Sequence, residues 1–183
     1  MPAPLSPELL QGVSLFDGLS ASERQTLLEH FEELSLAGGE TLFNVGDVGP
    51  ALYVLLEGAV EIIIDAPGGQ EALVTAIEPQ GVFGESSFFH PAPHNATARC
   101  RVDSRLLRLP RPAYEKLLEQ GATAAFRIGT KAAELLAARL QATDHWVSLL
   151  LGEEQQAITA SWRRFRDGLG GSFEFPHGFI HPY

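Results

Sequence analysis

The sequence predicts a mainly β sandwich or roll with flanking helices and a long C-terminal helix, on three observations. Strand-forming runs recur at short spacing between residues 34 and 110, each closed by a glycine-containing turn. A capping box, Ser20-Ala21-Ser22-Glu23, opens a helix ahead of them. Behind them Ala133, Leu136, Leu140, Thr143, Val147 and Leu150 alternate at spacings of three and four, as on one face of a long helix.

At the N-terminal end, Leu27, Leu28 and Phe31 recur at helical spacing after the capping box and supply a face for the core. The expected strands are Thr41–Phe43, Leu52–Leu56, Val60–Ile64, Ala72–Ile77 and Ala96–Val102, rich in β-branched and aromatic residues. Gly38-Gly39, Gly46-Asp47, Glu57-Gly58, Pro67-Gly68-Gly69 and Pro79-Gln80-Gly81 separate them. Strands this short and this regularly spaced favour stacked antiparallel sheets over a parallel α/β sheet. Ala113–Leu118 then suggests a short helix and Ala122–Leu151 a long one. The stripe on the long helix reads as an a/d seam pairing with a second copy, or as a face packed on the chain's own roll. The chain thus divides into an N-terminal helical segment (1–33), a β-roll (34–110), C-terminal helices (111–151) and a short tail (152–183), together one domain.

Composition narrows the function classes. The 183 residues carry a formal net charge of −10, which disfavours nonspecific binding to phosphate backbones. The one concentrated basic cluster, Trp162-Arg163-Arg164-Phe165-Arg166, reads as a docked amphipathic helix. A single cysteine, Cys100, allows no intrachain disulfide and too few thiolates for a zinc site. His90 and His94 flank Pro91-Ala92-Pro93, where helical ligand spacing is impossible and no third ligand is evident, so no metal is expected. No signal peptide or membrane span is apparent, and a cytoplasmic location is expected. A histidine cluster on the strands around Tyr53–Val60 and a nucleophile–base pair are both lacking, so no enzyme is expected.

The chemistry concentrates at Phe83-Gly84-Glu85-Ser86-Ser87-Phe88-Phe89, a strand running into a single helical turn. A glycine lets backbone approach a ligand, and the N–H groups opening a turn suit an anion. In order, Leu15-Phe16-Asp17-Gly18-Leu19-Ser20, Gly39-Glu40-Thr41-Leu42-Phe43, Gly46-Asp47, Leu52 to Ile62 and Phe83-Gly84-Glu85 resemble the cyclic-nucleotide-binding domain family over about residues 15–150. Arg139-Leu140-Gln141-Ala142-Thr143 is similar to the dimer helix of catabolite activator proteins. The resemblance implies a double-stranded β-helix (a jelly-roll-like β-roll) plus a long C-terminal dimerisation helix. It implies a regulatory domain that binds a cyclic nucleotide, cAMP or cGMP, or a related small anion, and signals through a homodimer to a protein partner. It supplies no DNA-reading half, so DNA binding by this chain alone is not expected.

The same resemblance assigns the ligand-binding residues. Gly84 and Glu85 match a glycine–glutamate pair whose carboxylate holds the ribose hydroxyl, and Ser86 and Ser87 match the turn whose amides face the cyclic phosphate. Arg139 matches a helix arginine that pairs with that glutamate. Thr143 matches a threonine that reads the base edge, or it is a polar residue setting helix register. His94 and Asn95 fall after the turn, and His94 stands where the family pattern has a phosphate-binding arginine. Losing a charge-assisted hydrogen bond costs about 1.5–3 kcal/mol, roughly ten- to a hundredfold in affinity. Strand alternation from Asn95 aims Arg99 away from His94, so it is no substitute. The alternative is a degenerate fold kept as an interaction or dimerisation module, its pocket plugged by Phe88, Phe89 or the aromatic tail at 168–175.

Overall fold

The computed structural model describes residues 5–66, 69–90 and 92–151. The Trp162–Arg166 cluster and the aromatic tail lie outside the described residues, as do the side chains of Val147 and Leu150. Two compact units are present, residues 1–133 and 134–183.

In the first unit, 3-10 turns at Pro7–Leu10 and Ser14–Phe16 lead into helix α1, Ala21–Leu28. Both halves of the capping box form: Glu23 N donates to Ser20 Oγ at 3.2 Å and Ser20 N to the Glu23 carboxylate at 2.8 Å. A cap of this kind contributes about 1 kcal/mol. The helix ends at Leu28, so Phe31 reaches the core from the segment after it, where its ring lies edge-on to Phe16.

Eight strands follow: β1 Glu32–Leu36, β2 Thr41–Phe43, β3 Ala51–Glu57, β4 Val60–Ala66, β5 Gln70–Ile77, β6 Val82–Phe83, β7 Thr97–Cys100 and β8 Ser104–Pro110. They form two four-stranded antiparallel sheets, ordered β1-β8-β3-β6 and β2-β7-β4-β5. The core between them holds Phe43, Tyr53, Leu55, Val60, Phe83, Ala98, Cys100 and Leu106. Burial pushes the Cys100 thiol up, away from reactivity.

Three strands differ from expectation. β1 begins at Glu32, inside the segment expected to be helical, and it is an exposed edge strand. Its Glu32 and Glu33 are set against Arg108 and Arg105 of β8, so charge pairing replaces the apolar pattern that marks inner strands. The strand expected over Ala96–Val102 stops at Cys100, and the chain turns through 101–103 into β8. β8, Ser-Arg-Leu-Leu-Arg-Leu-Pro, lacks β-branched residues and is held instead by burial of Leu106, Leu107 and Leu109.

Between β6 and β7 lies the short helix α2, Glu85–Phe89; α3, Arg111–Glu119, and α4, Thr123–Leu151, complete the described chain. Tyr114 of α3 donates to the Ala125 carbonyl of α4 at 3.1 Å. Arg127 of α4 reaches Glu23 at the start of α1. In the second unit, Leu136 and Leu140 on α4 are exposed.

Candidate ligand-binding site

The site is built on the step from β6 into α2. Gly84 caps the helix with φ +81°, the left-handed region that a side chain rarely adopts. A Cβ there would lie 2.6 Å from the Ala51 carbonyl oxygen and 3.0 Å from the Tyr53 ring, both on the buried strand β3. Glycine is therefore required twice, for conformation and for space. Glu85 follows as the first helical residue and is half-buried, Ser86 is exposed and Ser87 is buried. The first N–H groups of any helical turn have no carbonyl ahead of them within the turn.

Ser87 links the turn to His94. Its Oγ lies 3.2 Å from the Gly84 carbonyl and 3.1 Å from His94 Nδ1. The imidazole is 6% exposed and stacks on Phe43 at 3.8 Å between centroids, with 11° between planes. Its backbone is held on both sides by the β2–β3 loop: Gly46 N donates to His94 O at 2.7 Å and His94 N to Asp47 O at 2.9 Å. Burial holds the imidazole below the usual histidine range, while the Asp47 charge and hydrogen bonding to the Gly49 backbone pull the other way. Asp47 in turn accepts from Asn44 N at 2.7 Å, which keeps the loop folded under the ring.

The far end of α2 is tied down as well. The Arg111 guanidinium donates to the Phe88 carbonyl, pairs with Glu115 at 2.8 Å, and lies over the Phe88 and Tyr114 rings. A cation at a helix C-terminus meets the free carbonyls there. Phe88 is fully buried and packs on Phe89 and Tyr114, which makes it part of the seat under α2.

A family model, the cyclic nucleotide-binding domain, matches residues 33–121. The cyclic AMP receptor protein of Thermus thermophilus is 32% identical over 170 residues, 92% of this chain and 77% of that protein. This chain belongs to the cyclic nucleotide-binding domain family. The crystal structure of the Thermus thermophilus catabolite activator protein superposes with a TM-score of 0.68 at 32% identity, over 75% of this chain and 62% of that one. The N-terminal domain of a transcriptional regulator from Streptomyces coelicolor A3(2) gives a TM-score of 0.66 at 30% identity, over 74% of this chain and 94% of that one. These relatives are regulators of the CRP type, and the two antiparallel sheets followed by a C-terminal helix are the jelly-roll-like fold they share with this chain.

Within this cyclic nucleotide-binding domain, the structure brings Gly84, Glu85, Ser86, Ser87 and His94 together around one turn. Asn95 is exposed in the bend just before β7. Arg139 and Thr143 lie in the second unit, one helical turn apart, with Thr143 Oγ1 donating to the Arg139 carbonyl at 2.9 Å. Arg99 points to the second sheet's edge, where it makes a two-pronged pair with Glu71 at 2.7 and 3.0 Å. Phe43 and Asp47, quoted above only within family motifs, and Arg111 shape the site and were not among the residues the sequence assigned to it. Each looks like an ordinary strand, turn or helix-start residue until the fold brings it against His94 or α2. An open groove of about 420 Å³ along Ser35–Ala37, Glu57 and Asp103–Arg105 shares no residue with this site. Among the described residues no cluster of three or more metal-ligating side chains is present, and no helix is long and apolar enough to cross a membrane.

Proposed function

We propose that the chain is the ligand-sensing part of a regulator: the turn Gly84–Ser87 receives the phosphate of a cyclic nucleotide, or a related small anion. The observation that carries this reading is the left-handed Gly84 cap, which opens the turn's amides beside Glu85 in a chain of this family. Backbone donors at fixed positions suit an anion because they need no reorganisation on binding. Glu85 accepts a sugar hydroxyl. Arg139 and Thr143 enter the proposal through the family pattern alone.

The output runs through a homodimer seamed along α4. Ala133, Leu136, Leu140 and Thr143 are all exposed in the single chain, a stripe that a second helix would cover. Ligand then acts by favouring one arrangement of the paired helices, since equal affinity for two arrangements shifts neither. The role is regulatory, with no reaction catalysed.

The test is calorimetric titration with cyclic AMP and cyclic GMP, wild type beside Glu85→Ala. Micromolar binding lost in the variant, with an unchanged urea melt, is the expected outcome. One observation favours a second reading: His94 is buried and bonded to Ser87 where the family pattern has a phosphate arginine. If neither nucleotide binds, the fold serves as an interaction or dimerisation module.

A further inference from the structure

We propose that anion binding at this turn is proton-coupled: a cyclic phosphate is taken up together with one proton on the His94 imidazole, making the domain a joint sensor of ligand and acidity. The inference rests on the function proposed above and adds a second input to it.

His94 is buried against Phe43, with Nδ1 3.1 Å from the Ser87 hydroxyl, and Ser87 belongs to the turn whose amides receive the anion. An imidazole can occupy such a place without charge, which a guanidinium cannot. In the neutral Nε2–H tautomer, which leaves Nε2 to donate to the Gly49 backbone, Ser87 has one hydroxyl proton and two acceptors within reach, the Gly84 carbonyl and Nδ1. When Nδ1 gains a proton, it donates to Ser87 Oγ, and Ser87 donates to the Gly84 carbonyl. Protonation thus turns two competing acceptors into one continuous chain and loses no hydrogen bond.

What opposes protonation in the empty pocket is burial, and a negative charge at the turn offsets that opposition. The ionisable side chains on the segments meeting the ring are Asp47 in the β2–β3 loop, Glu85 at the start of α2 and His90 at its end; β2 contributes none. Asp47 favours the charged ring but does not overcome its burial. The anion supplies the remaining attraction. By linkage, binding that takes up a proton weakens by about tenfold per pH unit between the free ring's pKa and the liganded ring's pKa, and levels off below the first and above the second.

The experiment is titration of the full chain with cyclic AMP from pH 5.5 to 8.0, in paired buffers of different ionisation enthalpy, which counts protons directly. A cyclic phosphodiester keeps its single charge across this range, and ordinary carboxylates titrate below it. The expected result is uptake approaching one proton, with affinity falling by about tenfold per unit over the pH interval where that uptake is seen. His90→Gln should retain the uptake, while His94→Arg should bind with no pH dependence. A second readout needs no variant: the ring nitrogen chemical shifts of His94 should move to the protonated pattern on adding ligand at pH 7. Binding with no proton uptake and unmoved His94 shifts overturns this inference and leaves the proposed function standing. Absence of binding at every pH overturns the proposed function, and this inference with it.

Discussion

Gly84→Ala is the sharpest test of how the site is built, because Gly39→Ala serves as its matched control. Both glycines sit in the left-handed region, at φ +81° and +89°. Forcing an alanine there costs about 1–2 kcal/mol in either case. Their surroundings differ completely. A Cβ on Gly39 meets nothing within 4 Å, whereas one on Gly84 meets the Ala51 carbonyl at 2.6 Å and the Tyr53 ring at 3.0 Å. Ala51 and Tyr53 are 0% and 5% exposed on the strand between β8 and β6, so neither can step aside. Overpacking of this kind adds about 1–3 kcal/mol. Gly84→Ala should therefore destabilise by about 2–5 kcal/mol and Gly39→Ala by about 1–2. With a urea slope of about 2 kcal/mol per molar, the midpoints should fall by roughly 1–2.5 M and roughly 0.5–1 M respectively. Equal losses for the two variants would refute the steric half of the reasoning. A folded Gly84→Ala protein with undiminished cyclic AMP affinity would refute the link between this glycine and the ligand turn.

Stability should fall as pH drops from 8 to 5.5: the unfolded chain's histidine protonates near 6.5 while the buried ring resists, so the unfolded state binds more protons and gains. The loss should begin near 6.5 and be smaller in His94→Gln, as read by urea midpoints, and identical profiles would reject it. Leu140→Asp should halve the mass seen by light scattering, since it places a charge on the exposed α4 stripe. Tyr114→Phe should cost about 1 kcal/mol through the lost bond to the Ala125 carbonyl. Because a Cβ on Gly129 would crowd that same hydroxyl at 3.1 Å, Gly129→Ala should stabilise more in the Tyr114→Phe background than in wild type, a coupling that a double-mutant cycle measures.

What could be read from the sequence was what is decided locally. The capping box at Ser20, the turn after Gly84 and the alternation that aims Arg99 away from His94 each depend on neighbours within a few residues. β8 escaped because its leucines and arginines carry no strand preference, and its place is set by burial between β1 and β3. The same holds for β1, whose glutamates make sense only once β8 brings Arg105 and Arg108 across from them. The setting of His94 was beyond local reading for a like reason. Its Phe43 stacking partner, Asp47 and Ser87 come from three segments that only the closed roll assembles.

That assembly changes the meaning of the missing arginine. A guanidinium is charged at every relevant pH, so in an empty, Phe43-lined cradle it needs a counter-charge or water. The Asp47 charge beside the ring is one such counter-charge, yet burial outweighs it there. A histidine settles there neutral, hydrogen-bonded and stacked, and becomes a cation only when an anion arrives. On this reading the substitution exchanges a standing charge for a conditional one. Affinity at neutral pH falls, because each binding event must also draw a proton from solvent. In return the empty pocket carries no unpaired charge, and the response to ligand acquires a dependence on acidity that a fixed arginine would abolish.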